Sequence, residues 1–345
     1  MRVTALGVNS AFARGTYAPV YDAAAVRRWV ERLCHAGRHT RSDGDDSTSL
    51  NTNTALAELE PALRSAHLPK WQSNFLLEFD APGKVRSDVF RLVIDCGGDI
   101  RHSLAAIGLA MHDIDAWYIS HPHNDHIGGL EGIALSTLFY PRYTAAKAEL
   151  LRDTQISAYL CEHGTLSGTM KPDLIGHTSV LDEAWEAANP GLRTIQGVEE
   201  VRLDSYFEPR PLKSNKNYSQ RDAGGDWKFY TIVTTHVVAG RDLMPSYGLM
   251  FENGAHKIYF PTDTQLFMPP QVRHFYDQAS VVYMDCETGF ASGVHPHISG
   301  LRELPDALKR KMWLYHYDAE PEYAAGEFAG TLRAGMTHEY PSSPA

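Results

Sequence analysis

An α/β fold is the class predicted for this chain of 345 residues. Short apolar runs rich in β-branched and aromatic residues recur from end to end, several nearly continuous in apolar character, as expected for strands buried on both faces. Stretches of helical periodicity lie between them, an alternation that layers helices on sheets. A third observation points to chemistry. One strand-like run leads directly into HPHNDH (121–126), which places three histidines and an aspartate within six positions.

In chain order, MRVTALG at the start reads as a strand and turn. DAAAVRRWVERLCHAG (22–37) has apolar residues at helical spacing and ends at a glycine. The following segment, 37–54, is rich in Ser, Thr, Asn, Asp and Gly, and is expected to be a loop near the mouth of a pocket. A helix is expected over 54–67, strands over 74–79 and 91–95, a helix over 103–111, a strand over 116–120 and a helix over 144–163. A second polar insertion lies near 214–227. Strands then follow at 229–236, 257–263, 280–285 and 311–318, with a helix at 299–310 and a frayed tail at 338–345. Without an internal repeat or a clear linker, residues 1–345 read as one domain carrying two polar insertions.

Composition narrows the function. A 43% hydrophobic and 21% charged balance is that of an ordinary globular protein. The net charge of -10 argues against extended nucleic-acid binding. Cys34, Cys96, Cys161 and Cys286 form no CxxC pair and no disulfide framework, which fits a reducing compartment. No signal-peptide core opens the sequence, and no apolar run reaches the roughly 18 to 20 residues of a membrane span, so the expected location is cytoplasmic. A homodimer is compatible with all of this. Most of the 17 histidines, among them His35, His39, His67, His102, His112 and His338, sit among polar or helical neighbours and read as structural or solvent-facing.

The HPHNDH run is different. His121 and His123 are two apart, so in extended backbone they share a side. Asp125 and His126 come on the turn that follows, aimed at a second point. Four donors on so short a segment cannot surround one ion, but they can supply half of two neighbouring ions. Neutral imidazole and carboxylate suit zinc, and manganese or iron to a lesser degree. Gly128 and Gly129 let the chain turn tightly beneath.

This HxHxDH run resembles the signature of the metallo-β-lactamase superfamily, and the resemblance extends along most of the chain. LVIDCGG (92–98), TTHVVAGRDLMPSYGLMFE (234–252), YFPTDT (259–264) and WLYHYD (313–318) are similar to its other motifs, and each ends an apparent strand. The resemblance implies a four-layer αβ/βα sandwich and two metals. One would take His121, His123 and His236, the other Asp125, His126 and His316, with Asp263 and a water or hydroxide bridging. Asp95 would support the site without ligating. Two Zn2+ are expected, with Mn2+ or Fe as alternatives. Such a pair lowers the pKa of bound water towards 7 and neutralises charge on a phosphate or carbonyl oxygen, with Asp125 or Asp263 orienting the nucleophile.

MPSYGLMFENGAHKIYFPTDT resembles the ribonuclease Z and cyclic-nucleotide phosphodiesterase branch, and VHPHISG (294–300) resembles its late histidine motif. That implies a general acid at His297, with His295 the weaker candidate and Asp285 or Glu287 as the orienting carboxylate. Only a short stretch separates His236 from Asp263, without the long arm of tRNA-processing members. The expected function is therefore a binuclear metal-dependent phosphodiesterase acting on a cyclic nucleotide or other small phosphodiester through metal-activated hydroxide. Alternatives are a hydrolase of a carboxylic substrate (lactone, thioester or β-lactam) or an RNA 3′-end-processing endonuclease, and more remotely a non-catalytic binding protein. A flavin-linked oxidoreductase is set aside because no cofactor domain is appended.

Overall fold

The computed structural model describes residues 1–10, 71–79, 89–140, 142–143, 169–195, 198–213, 218–222, 225–266 and 268–341. The helices expected at 22–37, 54–67 and 144–163 and the loop expected at 37–54 lie outside these residues, as do 214–217 and 223–224 of the expected insertion near 214–227, whose other residues form a strand and the start of the strand that pairs with it. The described residues all fall within one compact unit.

Up to Leu212 the chain supplies β1 (Arg2–Gly7), β2 (Asn74–Phe79), β3 (Phe90–Ile94), β4 (Ala116–Ile119), the short pair β5 (Arg142–Tyr143) and β6 (Thr169–Met170), β7 (Asp173–His177) and β8 (Glu208–Leu212). The remainder supplies β9 (Tyr218–Asp222), β10 (Gly225–Ala239), β11 (Asp242–Glu252), β12 (Lys257–Thr262), β13 (Val281–Asp285), β14 (Met312–Tyr315), β15 (Gly330–Thr331) and β16 (Thr337–Glu339). Two seven-stranded sheets result, in the orders β16-β1-β2-β3-β4-β7-β8 and β15-β14-β13-β12-β11-β10-β9. Each is mixed: β3, β4, β7 and β8 run parallel in the first, and β12 to β15 run parallel in the second.

The helices are α1 (Ile100–Ala106), α2 (Asn124–Ile127), α3 (Leu130–Phe139), α4 (Thr178–Leu192), α5 (Leu203–Tyr206), α6 (Pro270–Gln278), α7 (Ile298–Arg302) and α8 (Asp306–Lys309). The helix expected at 103–111 starts earlier and stops at Ala106, because Gly108 takes a left-handed φ of 77° and a 3-10 turn follows at Met111–Asp113. The helix expected at 299–310 is divided into α7 and α8 at Leu304–Pro305, since proline cannot donate to a continuing helix.

The sheets meet face to face over aromatic side chains. Phe75 of β2 packs edge-on against Phe260 of β12 at 5.2 Å and Tyr315 of β14 at 4.9 Å, and Phe260 stacks on Tyr283 of β13 at 4.5 Å. Pairs of this kind contribute about 0.5–1.5 kcal/mol each beyond area burial. Outside the first sheet, α3 and α4 bury Ile133, Ala134, Val180 and Leu181. Outside the second, Tyr276 of α6, Leu301 of α7 and Leu308 of α8 close a separate core over Met250, Val282 and Leu314. Helix, sheet, sheet, helix is the four-layer αβ/βα sandwich expected. The parallel strands β3, β4 and β7, and β12, β13 and β14, end along one edge, where side chains from both sheets converge.

Candidate metal centre

Each expected donor is delivered by a strand end or by a break in a strand. His121 and His123 follow β4, and Asp125 and His126 lie on α2. His236 interrupts β10, where the pairing with β11 slips between Thr235 and Val237, and such bulges re-aim side chains. Asp263 follows β12, and His316 follows β14. Three non-glycine residues at this edge adopt left-handed backbone: Asp95 (φ 62°), Thr262 (φ 59°) and His316 (φ 62°). Each conformation costs roughly 1–2 kcal/mol and persists because surrounding bonds impose it. Gly97 is required beside the site, since a Cβ there would lie 2.4 Å from the Asp125 carbonyl oxygen.

The donors gather into two sets, His121, His123, His236 and Asp263, and Asp125, His126, His316 and Asp263, with ligating atoms in each set within 4.8 Å of one another. Asp263 belongs to both. His121, His126, His236 and Asp263 are almost wholly buried, and His123 is half-buried.

The hydrogen-bond network assigns the tautomers. Ser120 Oγ donates to Asp95 at 2.9 Å, so it accepts from His121 Nδ1 at 3.0 Å. His126 Nδ1 donates to Asp95 at 2.8 Å. His236 Nδ1 donates to the Val294 carbonyl at 3.1 Å. Ser73 Oγ donates to the Asn9 carbonyl, leaving it to accept from His316 Nδ1 at 3.0 Å. Four imidazoles are thus held by Nδ1–H and turn Nε2 inward, the arrangement that orients metal ligands.

Inward, those nitrogens crowd one another. His121 Nε2 and His236 Nε2 each lie 3.0 Å from His123 Nδ1. With both Nδ1 protons already placed, the Nε2 atoms present lone pairs to a third nitrogen, a contact that a cation relieves. Asp263 Oδ1 is buried with no hydrogen-bond partner, and an orphaned carboxylate oxygen is costly unless it ligates. The residues present therefore fit two divalent cations.

The electrostatics agree. Burial holds the His121 pKa well below its ordinary value and brings His236 and His316 down to about 4, so all three are neutral ligands at pH 7. Burial also opposes charge on His126, but Asp263, Asp125 and Asp95 override it and raise its pKa well above normal. The same burial would raise Asp263, yet His126 and His316 hold it well below the carboxylate range.

The two late histidines part company. His297 caps α7; its Nδ1 meets Ser299 Oγ at 2.8 Å, and its Nε2 is taken by the Gly289 carbonyl at 3.2 Å. His295 instead lies against the donors, with ring centroids 5.1 Å from His236 and 4.6 Å from His316. Its Nδ1 is 3.1 Å from Asp285 Oδ2. Burial works against its charge, but Asp263 and Asp285 lift its pKa to about 9. Glu287 is engaged by the backbone amide of Ser292 at 2.7 Å. Of the two carboxylates weighed, Asp285 holds a histidine, and the histidine is His295. The alternation of His295 and His297 in sequence offered only one signal for choosing between them, the helix start directly after His297.

The family model for "Anti-Pycsar protein Apyc1" matches residues 65–172 and 161–337 of this chain. The chain is 28% identical over 250 residues to the Anti-Pycsar protein Apyc1 of Bacillus phage vB_BveM-Goe7, covering 71% of this chain and 84% of that protein. Among solved structures it is similar to the metallo-β-lactamase fold protein YhfI from Bacillus subtilis, with a TM-score of 0.51 and 11% identity over 98% of both chains. It is also similar to a diphosphatase of the PhnP family, with a TM-score of 0.58 and 13% identity over 99% of this chain and 98% of the other. The fold is therefore that of the metallo-β-lactamase proteins. Among the described residues no helix is long and apolar enough to cross a membrane.

Proposed function

This chain belongs to the Anti-Pycsar protein Apyc1 family, and from that premise we propose that it hydrolyses a 3′,5′-cyclic pyrimidine nucleotide at two divalent cations, zinc by preference. It is a hydrolase, a phosphodiesterase of small substrates. The observation that carries the finer reading is one constellation: two four-donor sets share Asp263, and the Asp285–His295 pair stands beside them.

His121, His123, His236 and Asp263 would hold one cation, and Asp125, His126, His316 and Asp263 the other. When bound, the cations supply Lewis acidity, bringing the pKa of a coordinated water towards 7 and offsetting phosphate charge. Asp95, fixed by Ser120, locks His126 in the tautomer that ligates. The oxygens of Asp125 and Asp263 orient the attacking water. As its oxygen bonds phosphorus, the P–O3′ bond breaks and O3′ takes a proton. His295 supplies that proton: Asp285 holds one ring nitrogen, which leaves the other for the leaving oxygen, and the flanking carboxylates keep the ring protonated near neutrality. A cytoplasmic location belongs to this reading, supported by Cys96 and Cys286 remaining free buried thiols.

The test is turnover by metal-loaded protein of cytidine and uridine 3′,5′-cyclic monophosphates, 2′,3′-cyclic nucleotides, bis-p-nitrophenyl phosphate and a lactone panel. Hydrolysis of the 3′,5′-cyclic nucleotides to 5′-monophosphates is expected. Lactone hydrolysis with no phosphodiester turnover would overturn the reading.

A further inference from the structure

Phe290 is the most exposed large hydrophobic residue among those described, at 86%. It sits in the loop between β13 and α7, and that loop is tied to the donor residues at both ends. At its far end the Val294 carbonyl accepts from His236 Nδ1 at 3.1 Å, and His295 follows directly. At its near end Thr288 Oγ1 donates at 2.7 Å to the carbonyl of Ala319, three residues past His316. A Cβ on Gly289 would meet Asp318 Oδ2 at 3.0 Å, so the backbone lies close against that segment. His297, which caps α7, accepts from the Ser299 amide through Nδ1, leaving Nε2–H to donate to the Gly289 carbonyl at 3.2 Å. Glu287 holds the amide of Ser292. These bonds fix the backbone on either side of Phe290, so the ring stays in water although burial would favour it.

A second apolar side chain stands beside the same helix. Leu266, three residues after Asp263, is 37% exposed and rests on Gly300 of α7, where a Cβ would come within 2.6 Å of its Cδ2. Two loops that carry site residues thus each present an apolar group next to the start of α7. Val294 is four residues from Phe290, and a chain spans at most roughly 3.6 Å per residue, so Phe290 is within about 14 Å of the carbonyl that His236 holds. A phosphodiester held at the donor sets carries its base one sugar away, on the scale of that reach. An aromatic ring offers a face rather than a hydrogen bond, and every nucleobase has a π-face, so stacking holds bases with little regard to their identity.

We infer that Phe290 is the stacking platform for the base of the cyclic nucleotide, with Leu266 as an apolar flank, and that it holds cytosine and uracil alike. The inference rests on the cyclic-nucleotide reading above and adds how the base end of the substrate is held. Phe290 meets the substrate away from the reacting atoms, so it acts on KM rather than on kcat.

The experiment measures kcat and KM of metal-loaded wild type, Phe290→Ala and Phe290→Trp on cytidine and uridine 3′,5′-cyclic monophosphates and on the baseless 1-O-methylribose 3′,5′-cyclic phosphate, with the oligomeric state followed by light scattering. Phe290→Ala should raise KM about tenfold for both nucleotides, with kcat within about twofold of wild type. Phe290→Trp, which keeps a stacking face, should restore both KM values, and the baseless sugar should be turned over alike by all three proteins. An unchanged KM for the nucleotides, an equal rise for the baseless sugar, or an altered oligomeric state with unchanged kinetics would overturn the platform and leave the cyclic-nucleotide reading standing. Turnover of bis-p-nitrophenyl phosphate without hydrolysis of either nucleotide by wild type would overturn both.

Discussion

The two oxygens of Asp263 have unlike surroundings. Oδ2 lies 3.1 Å from His126, 3.5 Å from His316 and 3.8 Å from His121, whereas Oδ1 is buried without a partner. Asp263→Asn keeps the volume and removes the charge that both donor sets share. Metal content should fall from two equivalents to below one, and turnover by several powers of ten; two retained equivalents by elemental analysis would contradict the shared role. His126 bears on a second outcome. In the metal-free protein its raised pKa keeps it protonated at pH 7, and ligation requires the neutral ring. Metal uptake at pH 7 should therefore release on the order of one proton from this residue, whereas His236 and His316, held to about 4, release none until the pH falls towards that value. Calorimetry in buffers of different ionisation enthalpy reads this, and no buffer dependence would count against it. His295→Ala should lower kcat roughly 10²- to 10⁴-fold on a cyclic nucleotide and far less on bis-p-nitrophenyl phosphate, whose leaving group departs unaided. The same change at His297 should affect both substrates little, because its Nε2 is already bonded to Gly289; the reverse ranking would restore His297 as the acid. The clustering of the first four expected donors was legible because they are adjacent in sequence and in space. His295 was not, because which of two alternating histidines faces inward depends on bridges between Glu287 and residues 296–298 that no local pattern encodes.

At the scale of elements, β2, β3, β4, β12, β13 and β14 were legible because strands covered on both faces are apolar throughout. β8, EPRPL, was hidden by two prolines, which are tolerated there because it closes the edge of its sheet. α4 was hidden by the Asn-Pro-Gly near its end, which reads as a turn although the helix continues to Leu192. The strained strand ends give an element-level prediction. Thr262 Oγ1 donates to the Pro261 carbonyl and meets Ser246 Oγ at 2.8 Å, and Ser246 in turn approaches His121 Nδ1 at 3.5 Å. Thr262→Val keeps the left-handed strain and deletes those bonds, and should destabilise by about 1–3 kcal/mol. Thr262→Gly loses the same bonds but relieves the backbone, so it should cost less. Denaturant unfolding of the metal-free proteins gives the order, and a valine variant as stable as wild type would refute it.

At the scale of the molecule, an acidic chain concentrates imidazoles and carboxylates where two sheets meet, with the expected donors drawn from the end of β4 and α2 on one side and from β10, β12 and β14 on the other. Cations that bind only the folded arrangement stabilise it by mass action, by about 2.7 kcal/mol at a hundredfold excess over the dissociation constant. Chelation should therefore lower Tm by several degrees, metal should restore it, and Asp263→Asn should be nearly insensitive to both. A wild-type Tm indifferent to metal would argue that the donor sets are already satisfied without ions.

His236 has one nitrogen among the metal donors and the other bonded to the Val294 carbonyl, immediately before His295. In the proposed mechanism a single imidazole would then link the nucleophile's side of the reaction to the leaving group's side. A larger cation in the His121–His123–His236 set would tilt that ring and shift the acid with it. Exchanging metals should then alter how steeply rate depends on leaving-group basicity, a slope that an unlinked site would keep constant from one ion to the next.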